Sequence, residues 1–340
     1  MMAACLLKEQ GHPVIAIHFV TGFESDAVFA PTRAHADGHL ITEIGEQLGI
    51  SVELLDCRNA FQQQVVDYFI QTYLDGQTPN PCLVCNPLIK FGTVLSFAHD
   101  LGAERLATGH YARIQKDKSA TYRLLKGIDV HKDQSYFLAR LNQNQISRAI
   151  FPLGELLKSD VKQMARQRGF RPLTKSESQD VCFIEDTSYN EFLKKHGDHI
   201  LSPGPIVNVK GDVIGRHNGL HQFTIGQRRG INCPAPEPYY VVRLDPENNR
   251  LVVGSKSDLL ATSCKVSDIN WISEAPAEPI TVQTRIRYRN KGVASKLYPI
   301  DRHSAQIRFE SPIESITPGQ GAVFYRDDEV LGGGFISPEG

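Results

Sequence analysis

Short apolar runs alternate with amphipathic stretches of helical length through the first third of this 340-residue chain, and the alternation leaves few folds open. An opening helix over 1–10 stops at Gly11, and an apolar strand follows over 13–19. A helical pattern over 38–48, a strand over 51–57, helices over 59–74 and 87–101 and a strand over 104–108 continue the series. Strands separated by helices imply a parallel sheet covered on both faces, which takes its ligands outside the carboxyl ends of its strands. Helices are also expected over 159–169 and 188–195. Past Gly197 the pattern becomes short strands joined by turn residues, such as Lys210-Gly211-Asp212 and the run from Asp245 to Asn249. From Ala261 onward the strands suggest a β-barrel. The expected division is therefore an α/β domain over 1–196, a small central domain over 197–260 and a barrel over 261–340.

Within the first region the run Thr78-Pro79-Asn80-Pro81-Cys82-Leu83-Val84-Cys85-Asn86-Pro87 concentrates unusual chemistry. Two prolines fix φ in a loop, and Asn86-Pro87 supplies an N-cap and a first helical residue. Cys85, just before that cap, should then feel the positive end of the helix dipole and ionise below the ordinary thiol value of about 8.5, as a nucleophile would. The competing reading is a small buried cysteine beside a turn. Cys82 and Cys85 form a Cys-x-x-Cys pair, but structural zinc needs four ligands and no second such pair completes the set, so no permanently bound metal is expected. A further cysteine, Cys182, lies where the polar run Ser176-Glu177-Ser178-Gln179-Asp180 meets an apolar one.

Formal net charge is −1, so any nucleic-acid contact has to come from local basic patches. Arg285, Arg287 and Arg289 recur at period two, and one strand face would carry all three, either as a phosphate track or as a solvated face. The loop from His217 to Gly230 is also basic. No apolar run is expected to span a bilayer, and Met1 to Leu7 lacks the build of a signal peptide. Seven scattered cysteines argue against a disulfide framework and for a reducing cytoplasm.

The segments TPNPCLVCNPLIKFG and SESQDVCFI, together with KDQSYFL and FTIGQRRGI, closely resemble the tRNA-specific 2-thiouridylases, which replace the C2 oxygen of a wobble uridine by sulfur. The resemblance covers the chain apart from its start. It implies an ATP-pyrophosphatase-like nucleotide-binding fold followed by a small central domain and a barrel, with ATP and Mg2+ as cofactors. It also implies adenylation of the C2 oxygen, a tRNA anticodon loop as substrate and a persulfide sulfur-carrier protein as partner. By the same resemblance Cys182 carries the persulfide and Cys85 resolves it. Gly109 and Phe19 line the adenosine, Asn80, Pro81 and Cys82 frame the target base, and many relatives carry Asp where this chain has Cys82. His110, Lys132, Asp133, Gln134, Arg287, Tyr288 and Gln320 meet the tRNA. The family's Ser-Gly-Gly-Val-Asp-Ser phosphate loop and the strand before it have no counterpart here. The expected reason is a start codon assigned too late or a fragment, so the chain as it stands is expected neither to bind ATP tightly nor to thiolate tRNA; a tRNA-binding remnant without catalysis is the alternative.

Overall fold

The computed structural model describes residues 1–24, 44–170, 181–184, 189–196 and 202–338. Helix α1 (Met2–Glu9) ends as its glycine requires, with Gly11 at φ +85° and the amide of His12 donating back to Leu7. Strands β1 (Ala16–Val20) and β2 (Val52–Asp56) pair in parallel, Ala16 opposite Val52 and Val20 opposite Asp56. Residues 44–48 are helical, and the rest of the helix expected over 38–48 lies outside the described residues. One continuous helix, α2, runs through Arg58–Phe61, Gln62–Val66 and Asp67–Leu74.

Helix α3 spans Pro81–Asp100, so it starts six residues earlier than the sequence suggested. Asn-Pro occurs twice, and it is the first pair, Asn80-Pro81, that opens the helix. Pro87 falls inside it. There the ring would strike the carbonyl of Leu83 and the missing N–H would leave a gap in an α-helical ladder. The helix instead widens to i→i+5 pairing over Asn86–Val94 before tightening again over Leu95–Asp100. Gln145 inserts into the widened part, its Nε2 donating to Pro87 O at 2.7 Å and Phe91 O at 3.0 Å. At 20 residues and mean hydropathy 1.3, α3 is long and apolar enough to cross a bilayer, contrary to the expectation that no run reaches that length. However, 56% of it is buried inside the protein, where it serves as a core helix.

Strand β3 (Leu106–Ala107) is followed by the antiparallel hairpin β4 (Ala112–Lys116) and β5 (Tyr122–Lys126). A 3-10 turn (Ser135–Leu138) leads to helix α4 (Gln143–Ser147) and to β6 (Ala149–Ile150), which pairs in parallel with β3. Among the described residues the two parallel pairs are not bonded to each other. Helices α5 (Lys158–Gln167) and α6 (Tyr189–His196) complete this α/β region. The central sheet contains β7 (Gly204–Asn208), β8 (Val213–His217), β9 (Tyr240–Asp245) and β10 (Arg250–Gly254), in the order β8-β7-β10-β9.

The final region is the expected barrel. Strands β11 (Leu260–Trp271), β12 (Ile280–Arg285), β13 (Val293–Pro299), β14 (Ala305–Glu314), β15 (Gly321–Arg326) and β16 (Glu329–Ile336) run in the order β11-β14-β13-β12-β15-β16, and β11 pairs with β16 to close the ring. Val266, Leu297, Ile307 and Phe324 fill it. Because β12 ends at Arg285, Arg287 and Arg289 do not continue its face, and the expected three-arginine stripe does not form. The barrel also accepts the hairpin from the first region, with Leu125 opposite Glu329 and Leu124 opposite Val330.

Candidate active site

The loop before α3 is held from the barrel side. Thr78 donates its amide to Pro318 O at 2.9 Å, and Gln320 Nε2 donates to Thr78 O at 3.2 Å and Pro79 O at 2.9 Å. Gly319 permits this approach, because a Cβ there would come within 2.8 Å of Thr78 O and its φ is +84°. Asn80 and Pro81 are buried. The Asn80 amide N–H points to Tyr68 Oη and its Nδ2 to Tyr136 Oη, both at 3.4 Å, and Tyr136 Oη donates to Gly321 O at 3.0 Å. Of the three residues expected at the target base, Cys82 is thus the one that is only partly buried. Gln320, expected on the tRNA, here anchors the loop.

Cys85 is buried on the second turn of α3 rather than ahead of it. Its neighbours are apolar, among them Phe61, Val65, Val66 and Ile89. Burial pushes its thiol up to about 12, with Lys90 acting in the opposite sense. The expected dipole-lowered thiol is therefore reversed, since desolvation disfavours the anion and the helix-dipole effect has faded beyond the first turn. Cys82 is raised by burial as well. Cys182 lies in the turn over 181–184 and is exposed. Its neighbour Phe183 is buried in an aromatic cluster, with ring centroids 5.2 Å from Phe69, 5.4 Å from Phe192 and 5.6 Å from Phe61. That anchor belongs to the same core cluster as Cys85, and a charge on Cys182 is felt at both Cys82 and Cys85. None of the seven cysteines is in a disulfide. The polar run before Cys182, residues 176–180, lies outside the described residues.

His110 follows β3, its Nδ1 2.7 Å from Thr108 Oγ1 and its ring against Phe91 and Phe151. Burial and then Lys90 hold its pKa well below 6.5, so it is a neutral imidazole. Gly109 is exposed, and an added Cβ would meet only Leu153 Cδ1 at 3.7 Å, so protein packing does not demand glycine there. Phe19 packs on the same core cluster as Cys85.

The residues expected on tRNA in the Lys132-Asp133-Gln134 run turn partly inward. Asp133 is buried, and its carboxylate accepts from Gly127 N and Ser135 N at 3.1 Å and from Arg285 Nη1 at 2.8 Å. The Arg285 guanidinium in turn lies over the Tyr325 ring. Gln134 exchanges two bonds with the backbone of Tyr111, at 2.8 and 3.0 Å. Arg287 Nη2 donates to Ile225 O, Ser315 O and Thr317 Oγ1, tying the basic central loop to the barrel. Tyr288 stacks near Phe137, with centroids 4.4 Å apart. Lys132 is half-buried and Arg289 exposed. The sequence reading missed three supports: Gln145, Phe183 and Lys90. A signal for Lys90 existed, since it is the only cation between Pro81 and Asp100.

Three family models match the chain in succession. They are the tRNA methyl transferase HUP domain over residues 1–186, the tRNA methyl transferase PRC-barrel domain over 190–255 and the aminomethyltransferase beta-barrel domain over 261–336. A tRNA-specific 2-thiouridylase MnmA of Desulfosudis oleivorans is 47% identical over 339 residues, covering 100% of this chain and 92% of the relative. Proteins of the same name from Chlorobium phaeobacteroides and Geobacter metallireducens are 42% and 41% identical, each over 98% of this chain and 93% of the relative. With these models in order along nearly its whole length and such identities at full coverage, the chain belongs to the tRNA-specific 2-thiouridylase family.

Proposed function

We propose that this protein is a tRNA-uridine 2-sulfurtransferase that installs sulfur at C2 of the wobble uridine, with Cys182 carrying the incoming sulfur as a persulfide and Cys85 resolving it. The observation that supports this most is that the turn bearing Cys182 is anchored, through Phe183, in the cluster that holds Cys85. Phe183 fixes the turn bearing Cys182 against the core wall that contains Cys85, leaving one sulfur exposed and the other sheltered. An exposed thiol can be loaded by a persulfide-bearing carrier protein, which leaves as its own thiol. A sheltered one is protected from loading itself. A splayed-out loop base would enter beside Cys82.

Two routes are consistent with this layout. The Cys85 thiolate attacks Cys182 Sγ, forming the Cys85–Cys182 disulfide and releasing hydrosulfide that adds to C2. Alternatively the terminal persulfide sulfur adds to C2 first, and Cys85 then displaces it from Cys182, leaving the thiocarbonyl and the same disulfide. Either way a cellular dithiol must supply two electrons to restore the thiols. ATP with Mg2+, when bound, would make the C2 oxygen a leaving group. The residues that would take its adenosine are the exposed Gly109 and the partly buried, apolar Phe19.

Nucleoside analysis of tRNA incubated with protein, ATP and a persulfide donor is the test. Cys85→Ser and Cys182→Ser should each abolish 2-thiouridine while leaving tRNA retention on a filter intact. Ser at Cys5, Cys57, Cys233 or Cys264 should be tolerated. Thiolation by either active-site mutant overturns the assignment, and wild-type protein that retains tRNA without ever thiolating it favours the remnant reading.

A further inference from the structure

In an ordinary α-helix the side chains that meet are three and four residues apart, and a pair five apart diverges. Cys85 and Lys90 are such a pair. The widening of α3 over Asn86–Val94 changes their relation, because with i→i+5 pairing the fifth residue comes round above the first. Several residues are committed to holding this geometry. Pro87 removes a donor that an α-helix would need, Gln145 gives both Nε2 bonds to the widened turn, and Gly92 leaves room where a Cβ would sit 2.9 Å from Pro87 O. Asn86 adds a fourth tie, its Nδ2 donating to Phe137 O at 2.9 Å.

Lys90 itself is half-buried, and among the described residues no carboxylate pairs with it. Its charge acts on Cys82, Cys85 and His110. The other ionisable groups facing Cys85 are Cys82 on the same helix, Cys57 from the end of β2 and Cys182 from the turn over 181–184, and each would oppose a second anion. Burial opposes it further. Among the described residues named around Cys85, Lys90 is thus the one that favours a sulfur anion.

We propose that Lys90 is a positioning residue acting through Cys85, its ammonium stabilising the thiolate that forms when the Cys85 thiol gives up its proton to solvent and attacks, and that the widened turn of α3 serves to bring the two together. This rests on the assignment of Cys85 as the resolving thiol, but it is tested on the protein alone. The measurement is the rate of Cys85 alkylation by iodoacetamide against pH, read by mass spectrometry of the Cys85 peptide, for wild type, Lys90→Met and Lys90→Arg. Removing the charge should carry the Lys90→Met curve about one unit to higher pH, roughly tenfold slower at any pH on its rising limb. Lys90→Arg should stay near wild type. Cys57, buried beside Cys85 but outside the influence of Lys90, is the control for access, and its curve should not move. Should Lys90→Met fold poorly, Lys90→Gln takes its place in the same comparison.

A Cys85 curve unmoved in the neutral variants overturns the proposal, as does a curve slowed equally by Met and Arg. Weaker tRNA binding by Lys90→Met with an unmoved curve likewise overturns it and assigns the ammonium to a phosphate. If Cys85→Ser still thiolates tRNA, the role given to Cys85 fails while the effect of Lys90 on the thiol stands.

Discussion

His110 lies with Nδ1 2.7 Å from Thr108 Oγ1 and packs beside Phe91 and Phe151, so protonating it would place a charge among apolar rings and near Lys90. Its native pKa is held well below 6.5 while the unfolded chain titrates near that value. As pH falls through about 6.5 the unfolded state therefore takes up a proton that the native state refuses, and stability drops. His110→Gln should flatten part of that loss in urea denaturation compared at pH 7.5 and pH 5; His18 and His217, depressed in the same direction, add to it. Cys85 has the opposite sign. Raised to about 12, it contributes stability that is complete below the unfolded thiol value and is lost as pH climbs toward 12. Its chemistry was legible in the sequence, but its environment was not, because two Asn-Pro pairs six residues apart offer the same helix-start signal and only tertiary contacts decide between them.

At the level of elements, α3 is under strain that its neighbours relieve. Gln145 answers Asn142 with its Oε1 in a capping box and the widened helix with its Nε2, so one side chain closes α4 and braces α3. Gln145→Leu should leave carbonyls of α3 short of donors and destabilise the protein by about 1–3 kcal/mol, measured as a shift in urea midpoint at unchanged slope. No periodicity predicts such a widening. A lone proline inside an apolar run reads as a boundary, which is how the helix start came to be misplaced. The Arg285-Arg287-Arg289 pattern misleads in the same way. Alternation describes a strand only while the strand lasts, and here tertiary partners, Asp133 for Arg285 and three oxygens for Arg287, claim the side chains instead.

Over the whole molecule the order of α/β region, central sheet and barrel follows from the change in pattern along the sequence, whereas the seams between them do not. One seam is the Asp133–Arg285 pair, 2.8 Å apart with side chains 2% and 17% exposed. Arg285→Met strands a buried carboxylate and should cost about 3–5 kcal/mol, while the double variant Asp133→Asn with Arg285→Met should recover part of that, as thermal unfolding of the four proteins would show. The second seam is the hairpin of β4 and β5 laid against β16, where Arg123 also reaches Glu329, 206 residues further along the chain. A pairing at that separation leaves no local trace in the sequence. It has a temporal consequence as well: at about 5–20 residues per second, a ribosome needs roughly ten to forty seconds after making the hairpin to deliver its partner strand. Throughout that interval the nascent chain carries an unpaired β edge, and the first region reaches its final form only when nearly the last residue has emerged.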